Sequence, residues 1–406
     1  MNFYIPHKKE SKKSYVLLFI IILIGIHFFG LQPVANYVNS PSKPAILIRC
    51  IIFLFFALKI NREQNEYTRT LLYLWLSLGL NKISSFIFNQ QPFSSSLFQG
   101  FFVYDLGFFY IISYIKPSIK QIEKIILYLG VIGLGIYYIQ YMLLPKPLVE
   151  SLTSGWRAIN EVSEFDIKRF TLTGEVLIFL CGLLCLNKYL HHKRKIFIII
   201  YILVFSMCIL HGYRSLIISF IVSSCFIFYK MHGFRFNGTA VGFLIVIICL
   251  TFLIKNTSLF NEVLETFEEK NLAQSSESIF ELDRIIEFKY FYDNIKSPIE
   301  WFFGAGFIGK NLTGIDSFIN WVDLGFIGLS FMGGILITFF WLRLLFLNIR
   351  KVKSKEYVYI RAFSLFILLS TIALPIAFID KSPIIQSLAF YLFFQIKKSE
   401  NRKLSC

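Results

Sequence analysis

Charge is scarce in this 406-residue sequence: charged residues make up 16% of it, where soluble domains carry roughly a quarter. That excludes an ordinary soluble domain. Acidic residues are the scarcer sign, 25 against 41 Lys and Arg. Patterns that hold metals or disulfides are missing as well. Of the seven cysteines, Cys50, Cys181, Cys185, Cys208, Cys225, Cys249 and Cys406, all but the last fall in or beside apolar runs, and they show neither zinc spacing nor a disulfide framework. Cys181 and Cys185 share a helix face at i, i+4 and read as small lipid- or core-facing residues. His27 and His211 each stand alone in the sequence, so neither indicates a metal site. No HExxH, P-loop, GxSxG or CxxC element occurs.

What the sequence has in abundance is apolar material, 56% of all residues, recurring from residue 15 to residue 396 in blocks of roughly twenty, the length that spans a bilayer as helix. The expected fold class is therefore all-α. Residues 1–406 form a single polytopic membrane domain of about twelve transmembrane helices. The expected spans are 15–31, 45–60, 69–88, 97–115, 122–144, 173–190, 196–212, 214–230, 239–255, 319–342, 358–379 and 384–396. The first follows Lys8, Lys9, Lys12 and Lys13 as a secretory signal would, but further spans follow at once with no clear cleavage site, so it reads as a true span.

The net charge of +16 does not indicate nucleic acid, because the basic residues lie in short clusters between apolar runs. They indicate sidedness instead. With the N-terminal tail in the cytoplasm, most of the 41 basic residues and few of the 25 acidic ones fall on the cytoplasmic side. Both termini are then cytoplasmic.

Two outside segments exceed what connection requires, 145–171 and 256–316. In the second, Leu282, Ile285, Phe288, Tyr292 and Ile295 recur at helical spacing, with Asp283, Glu287 and Asn294 on other faces. This pattern predicts an amphipathic helix at about 281–296, lying on the outer membrane surface or packed on a partner. Most of the acidic residues between Glu262 and Glu300 read as a solvated surface.

Several residues are candidates for chemistry. Arg214 stands in the tight outside junction His211-Gly-Tyr-Arg214-Ser215, where a charge beside hydrocarbon needs water or a partner, unless it snorkels to headgroups. The first loop supplies Arg157, Lys168 and Arg169, and Arg169 is in reach to neutralise Glu175 at the start of an apolar run. The second supplies Arg284, Lys289, Lys310 and Asp316. Asp105 lies within a span, where an acid lines a cavity or pairs with a base, in an enzyme or a proton-coupled transporter. Gly304-Ala-Gly306-Phe-Ile-Gly309 matches the dinucleotide fingerprint as a string, but no strand-turn-helix unit surrounds it. Its glycines read as a close backbone turn that offers amide groups to a phosphate or sugar.

From about Arg157 to Gly328 the order of these features resembles the O-antigen polymerase and ligase superfamily. Four pieces carry the resemblance. They are Arg169-Phe-Thr-Leu-Thr-Gly174-Glu175, His211-Gly-Tyr-Arg214-Ser215, Leu282-Asp-Arg284 with Pro298 and Phe303-Gly304-Ala-Gly306, and Asp316-Ser317-Phe318 with Leu324-Gly325-Phe-Ile-Gly328. Ligases of the superfamily usually carry histidine where Asp316 stands, a departure that favours polymerase over ligase.

The resemblance implies a GT-C-like membrane glycosyltransferase in the bacterial cytoplasmic membrane, joining polyprenyl-diphosphate-linked repeat units into O-antigen or capsular polysaccharide. It implies Arg157, Arg169, Arg214, Arg284 and Lys310 as binders of the diphosphate and sugar, with Glu175 or Asp316 as the general base. No metal, nucleotide or other cofactor is demanded. The implied partners are the lipid-linked glycan, membrane lipids, a chain-length regulator and a flippase, with no nucleic acid. A ligase, a lipid-linked-oligosaccharide flippase or other transporter, and a structural or receptor protein stand as the alternatives.

Overall fold

The computed structural model describes residues 12–31, 43–60, 65–92, 100–143, 146, 148–149, 171–211, 214–232, 283–295, 297–306, 321–350, 354–373 and 381–404. Among them all regular structure is helical, apart from an isolated bridge between Leu31 and Val149. In chain order the helices are α1 (Lys12–Gly25), α2 (Lys43–Ile60), α3 (Glu66–Asn89), α4 (Phe101–Asp105), α5 (Phe108–Ile115), α6 (Ile119–Leu143) and α7 (Val176–His192). There follow α8 (Lys195–Leu210), α9 (Arg214–His232), α10 (Asp283–Asn294), α11 (Pro298–Phe303), α12 (Gly325–Ile349), α13 (Val358–Ala373) and α14 (Ser382–Leu404).

Helices occupy each expected apolar run other than 239–255, which lies outside the described residues. Among the described residues, four helical segments are long and apolar enough to cross a membrane: Glu66–Asn89, Ile119–Leu143, Ser215–His232 and Gly325–Ile349. The chain is a membrane protein on that ground.

Helix α7 is the axis. Every residue from Val176 to Asn187 is buried, the condition of a helix apolar on all sides. It packs against α6, α8, α9 and α13. Small residues permit the close approach: a Cβ on Gly130 of α6 would run into Cys181, and one on Gly182 would press on Val204 of α8. Around this axis, α13 joins α9 to α12, α12 packs on α3, and α14 closes against α4, α5 and α6.

Buried pairings define two ends. At one, Glu123 of α6 meets Lys188 of α7 at 2.6 Å and accepts a hydrogen bond from Tyr359 Oη of α13 at 3.1 Å. Nearby lie Lys193, Arg194, Lys195 and Lys355, and this is the basic end. At the opposite end, the last turns of α6 meet the start of α7 and the end of α8.

Two apolar helical segments are interrupted. Helices α4 and α5 are separated at Leu106–Gly107, where a Cβ on Gly107 would strike Trp75 of α3. Helix α12 breaks at Gly334, whose φ of 85° and ψ of 160° only glycine adopts readily. Backbone exposed by such a break must find partners. Here the turn after α11 supplies them: Ala305 N donates to Phe331 O and Gly306 N to Met332 O, each at 2.9 Å. Gly304 has a φ of 83°, and Cβ atoms on Gly304 and Gly334 would each collide with the other segment's backbone. From α3, Asn81 Nδ2 donates to Phe303 O at 2.6 Å and Met332 O at 2.8 Å, and Ser84 Oγ to Gly304 O at 3.0 Å.

A helix occupies the expected amphipathic segment as α10, Asp283–Asn294. Glu287 is buried, while Ile286, Phe288 and Tyr292 are exposed. The rings of Phe288 and Phe291 still reach Phe331 of α12, at 5.6 and 5.9 Å. Glu300 in α11 also departs from the expected solvated surface. It is fully buried, its carboxylate accepting from Asn89 Nδ2 at 3.0 Å and Ser297 N at 3.1 Å.

Candidate functional site

Glu175 is placed by a left-handed turn. Gly174 has a φ of 78°, and a Cβ there would press into Ile26 at 2.7 Å, so the chain enters α7 tightly against the end of α1. The turn closes through Glu175 N donating to Leu172 O at 3.0 Å. Its carboxylate folds back so that Oε2 accepts from Leu172 N at 3.2 Å.

The same oxygen lies 2.8 Å from Nε2 of His211, the residue that ends α8. Both side chains are buried. The Tyr137 ring of α6 stacks on the imidazole, with centroids 5.8 Å apart and planes inclined by 26°. Among the described residues, Oε1 of Glu175 takes no hydrogen bond. The arrangement therefore fixes one oxygen of a buried carboxylate through two bonds.

The neighbouring turn reinforces the site. His27, Phe28 and Phe29 have φ of 50°, 53° and 60°, three successive side-chain-bearing residues in the left-handed region, each at a cost of about 1–2 kcal/mol. Phe29 is buried over Gly133 of α6, and Gly30 abuts Thr173. Gln140 of α6 holds the other side: its Oε1 accepts from Leu148 N at 2.5 Å and Val149 N at 3.1 Å, and Nε2 donates to Lys146 O at 3.0 Å.

A further pair joins two helices within the bundle. Asp105, at the end of α4, lies 3.7 Å from Nζ of Lys381, whose own φ of 64° sets it just ahead of α14. Ser387 Oγ in α14 donates to Leu106 O at 2.9 Å and fixes the two elements together. On α3, Lys82 is 2% exposed, so it is sheltered from lipid and solvent alike.

The expected site residues fare unequally. Glu175 lies within the described residues, at the start of α7. Arg214 opens α9, three residues beyond His211, and Arg284 lies in the first turn of α10; their side chains are outside what the structure describes. Arg157, Arg169, Lys310 and Asp316 lie outside the described residues altogether. The described partner of Glu175 is His211, where sequence had offered Arg169. The amides of Ala305 and Gly306, expected to face a phosphate or sugar, donate instead to Phe331 O and Met332 O. Sequence reading also passed over Asn81 and Lys82, although two polar residues inside an apolar run were a visible signal.

Among the described residues, no cluster of His, Cys, Asp and Glu is arranged to hold a metal ion. No family model matches the chain, and a search of curated proteins returned no match.

Proposed function

We propose that the chain is a polysaccharide polymerase of the bacterial cytoplasmic membrane, with about twelve spans in a GT-C-like arrangement and both termini in the cytoplasm. Its basic end then faces the cytoplasm, and Glu175 and His211 lie toward the outer surface. The observation that carries the reading is the buried Glu175–His211 pair, 2.8 Å apart. It joins the two segments, Arg169–Glu175 and His211–Ser215, on which the family resemblance rests most directly.

In the proposed reaction an acceptor sugar hydroxyl attacks the anomeric carbon of a donor glycan. A new glycosidic C–O bond forms, the bond from that carbon to the diphosphate oxygen breaks, and polyprenyl diphosphate leaves with the bonding electrons. Glu175 Oε1 takes the hydroxyl proton, and His211 holds Oε2 so that the free oxygen faces the acceptor. Asp316 is the other candidate for this base. Arg157, Arg169, Arg214, Arg284 and Lys310 meet the anionic leaving group and sugar, a task suited to permanently charged, bidentate guanidinium groups.

Membrane vesicles holding the protein and a defined polyprenyl-diphosphate repeat unit test this directly. Longer lipid-linked chains are expected, and Arg214→Ala should lower elongation by about 10²–10³-fold at normal protein level. Absence of elongation with every cognate repeat would remove the polymerase reading, and transfer to lipid A core or protein would make the chain a ligase.

The interruptions at Gly334 and Leu106–Gly107 favour a second reading, because broken helices in the membrane form substrate sites in transporters. Movement of the lipid-linked unit across vesicles without elongation would select it.

A further inference from the structure

Three segments far apart in sequence meet at the basic end, and chain connectivity does not explain their meeting. The turn from α7 to α8 carries His191, His192, Lys193, Arg194 and Lys195, all exposed. The end of α9 carries Lys230 and His232, and the 3-10 turn before α13 carries exposed Lys355. They are fastened together. Lys355 Nζ donates to Met231 O at 2.8 Å, and Asn187 Nδ2 donates to Glu356 O at 2.5 Å. Lys193 and Lys355 both lie within electrostatic reach of His232.

Acidic groups around this cluster are largely committed elsewhere. Glu123 is held by Lys188 and Tyr359, and Glu400 accepts from Ser354 N at 3.3 Å and lies beside Lys397. Glu356 is the exposed acid on the turn itself. Gathered cations raise the free energy of the fold unless an anion meets them. A topological bias accounts for basic residues in each segment but not for the bonds that draw the segments into one patch.

Aromatic rings and an apolar stripe indicate the anion's source. Lys193 Nζ lies 5.5 Å from the Tyr189 ring centroid, and Lys230 Nζ lies 4.7 Å from Tyr229 and 5.6 Å from Phe226. The Phe226 ring also faces Arg361 at 5.2 Å. Cations set over rings at helix ends belong to the headgroup level of a membrane. Directly below the cationic turn, Ile196, Ile199 and Leu203 of α8 are exposed at 56%, 51% and 40%, spaced to form one stripe along the helix. An acidic protein segment or free phosphate would have no use for that stripe, whereas an acyl chain would lie along it.

We propose that the patch of Lys193, Arg194, Lys195, Lys230 and Lys355 binds the headgroup phosphate of an anionic phospholipid of the phosphatidylglycerol class, whose acyl chain follows Ile196, Ile199 and Leu203.

The test uses the purified full-length protein in neutral detergent, with lipid retention read by native mass spectrometry against phosphatidylglycerol and phosphatidylcholine. The variant Lys193→Gln/Arg194→Gln/Lys195→Gln should lose phosphatidylglycerol affinity by about fivefold per charge removed and keep its phosphatidylcholine retention. The control Lys116→Gln/Lys120→Gln/Lys124→Gln, in exposed residues between and along other helices of the same end, should change little. Excess inorganic phosphate should not displace the lipid. Equal losses in the two variants, equal loss of both lipids, or displacement by phosphate would overturn the proposal. So would retention of phosphatidylglycerol only when an acidic peptide is absent, since that peptide would then be the better occupant. If the triple variant is not recovered folded, Arg194→Gln and Lys355→Gln are measured singly, and unchanged retention in both would count as the same refutation.

Discussion

Glu123 and Glu175 are both buried carboxylates at helix ends, and each faces a basic side chain on a neighbouring helix. The resemblance stops at the second oxygen. Both oxygens of Glu123 are engaged, one by Lys188 and one by Tyr359, so three helices are tied through a saturated group. Among the described residues, the bonds of Glu175 fall on Oε2. A saturated buried ion pair holds a structure in register, whereas a carboxylate satisfied on one side retains capacity for chemistry. Burial and charge therefore do not distinguish the two acids; how their described oxygens are engaged does.

That distinction can be broken by paired substitutions. Glu175→Gln removes the proton acceptor at nearly constant shape and should lower chain elongation by about 10²–10⁴-fold at unchanged protein level. Glu123→Gln should leave the turnover of surviving protein near wild type while costing about 1–3 kcal/mol, read as a lower midpoint of thermal unfolding in detergent. Comparable loss of turnover in both would erase the division between the two ends.

The next effect concerns backbone. Gly334→Ala places a Cβ against Phe302 O and on a φ of 85°, so it should cost about 1–3 kcal/mol or more and reduce the yield of folded protein. Gly135→Ala, with nothing near its Cβ position, is the matched comparison and should be recovered normally. The smallest effect belongs to the basic end: Arg350 and Glu66 are bonded at 2.6 Å, yet their side chains are 58% and 55% exposed. Arg350→Ala should shift stability by about 1 kcal/mol at most, and a larger shift would mean that exposed pairs there do more than Glu123.

Apolar runs made the helices legible, because the requirement to satisfy backbone groups in lipid leaves few other choices. Glu175 was legible as a charge entering such a run. Its partner was not: His211 lies thirty-six positions away, beyond any helical period. The Asp105–Lys381 pair lies still farther apart. What the apolar face of α10 meets is open in the sequence for a different reason. Periodicity finds the apolar side of a helix but not whether lipid or protein meets it; in α10 Phe288 and Tyr292 are exposed while Glu287 is buried. The glycine string reads as a ligand cradle because sequence does not reveal that the amides of Ala305 and Gly306 already have acceptors in α12.

The break in α12 bears on how the chain is assembled in the cell. A span entering the bilayer alone with its backbone opened at Gly334 would leave the carbonyls of Phe331 and Met332 without donors in hydrocarbon, at several kcal/mol each. Those donors come from residues 305 and 306, synthesised earlier, and from Asn81, synthesised much earlier still. The opened conformation is therefore satisfied only once three separately translated parts of the chain have come together.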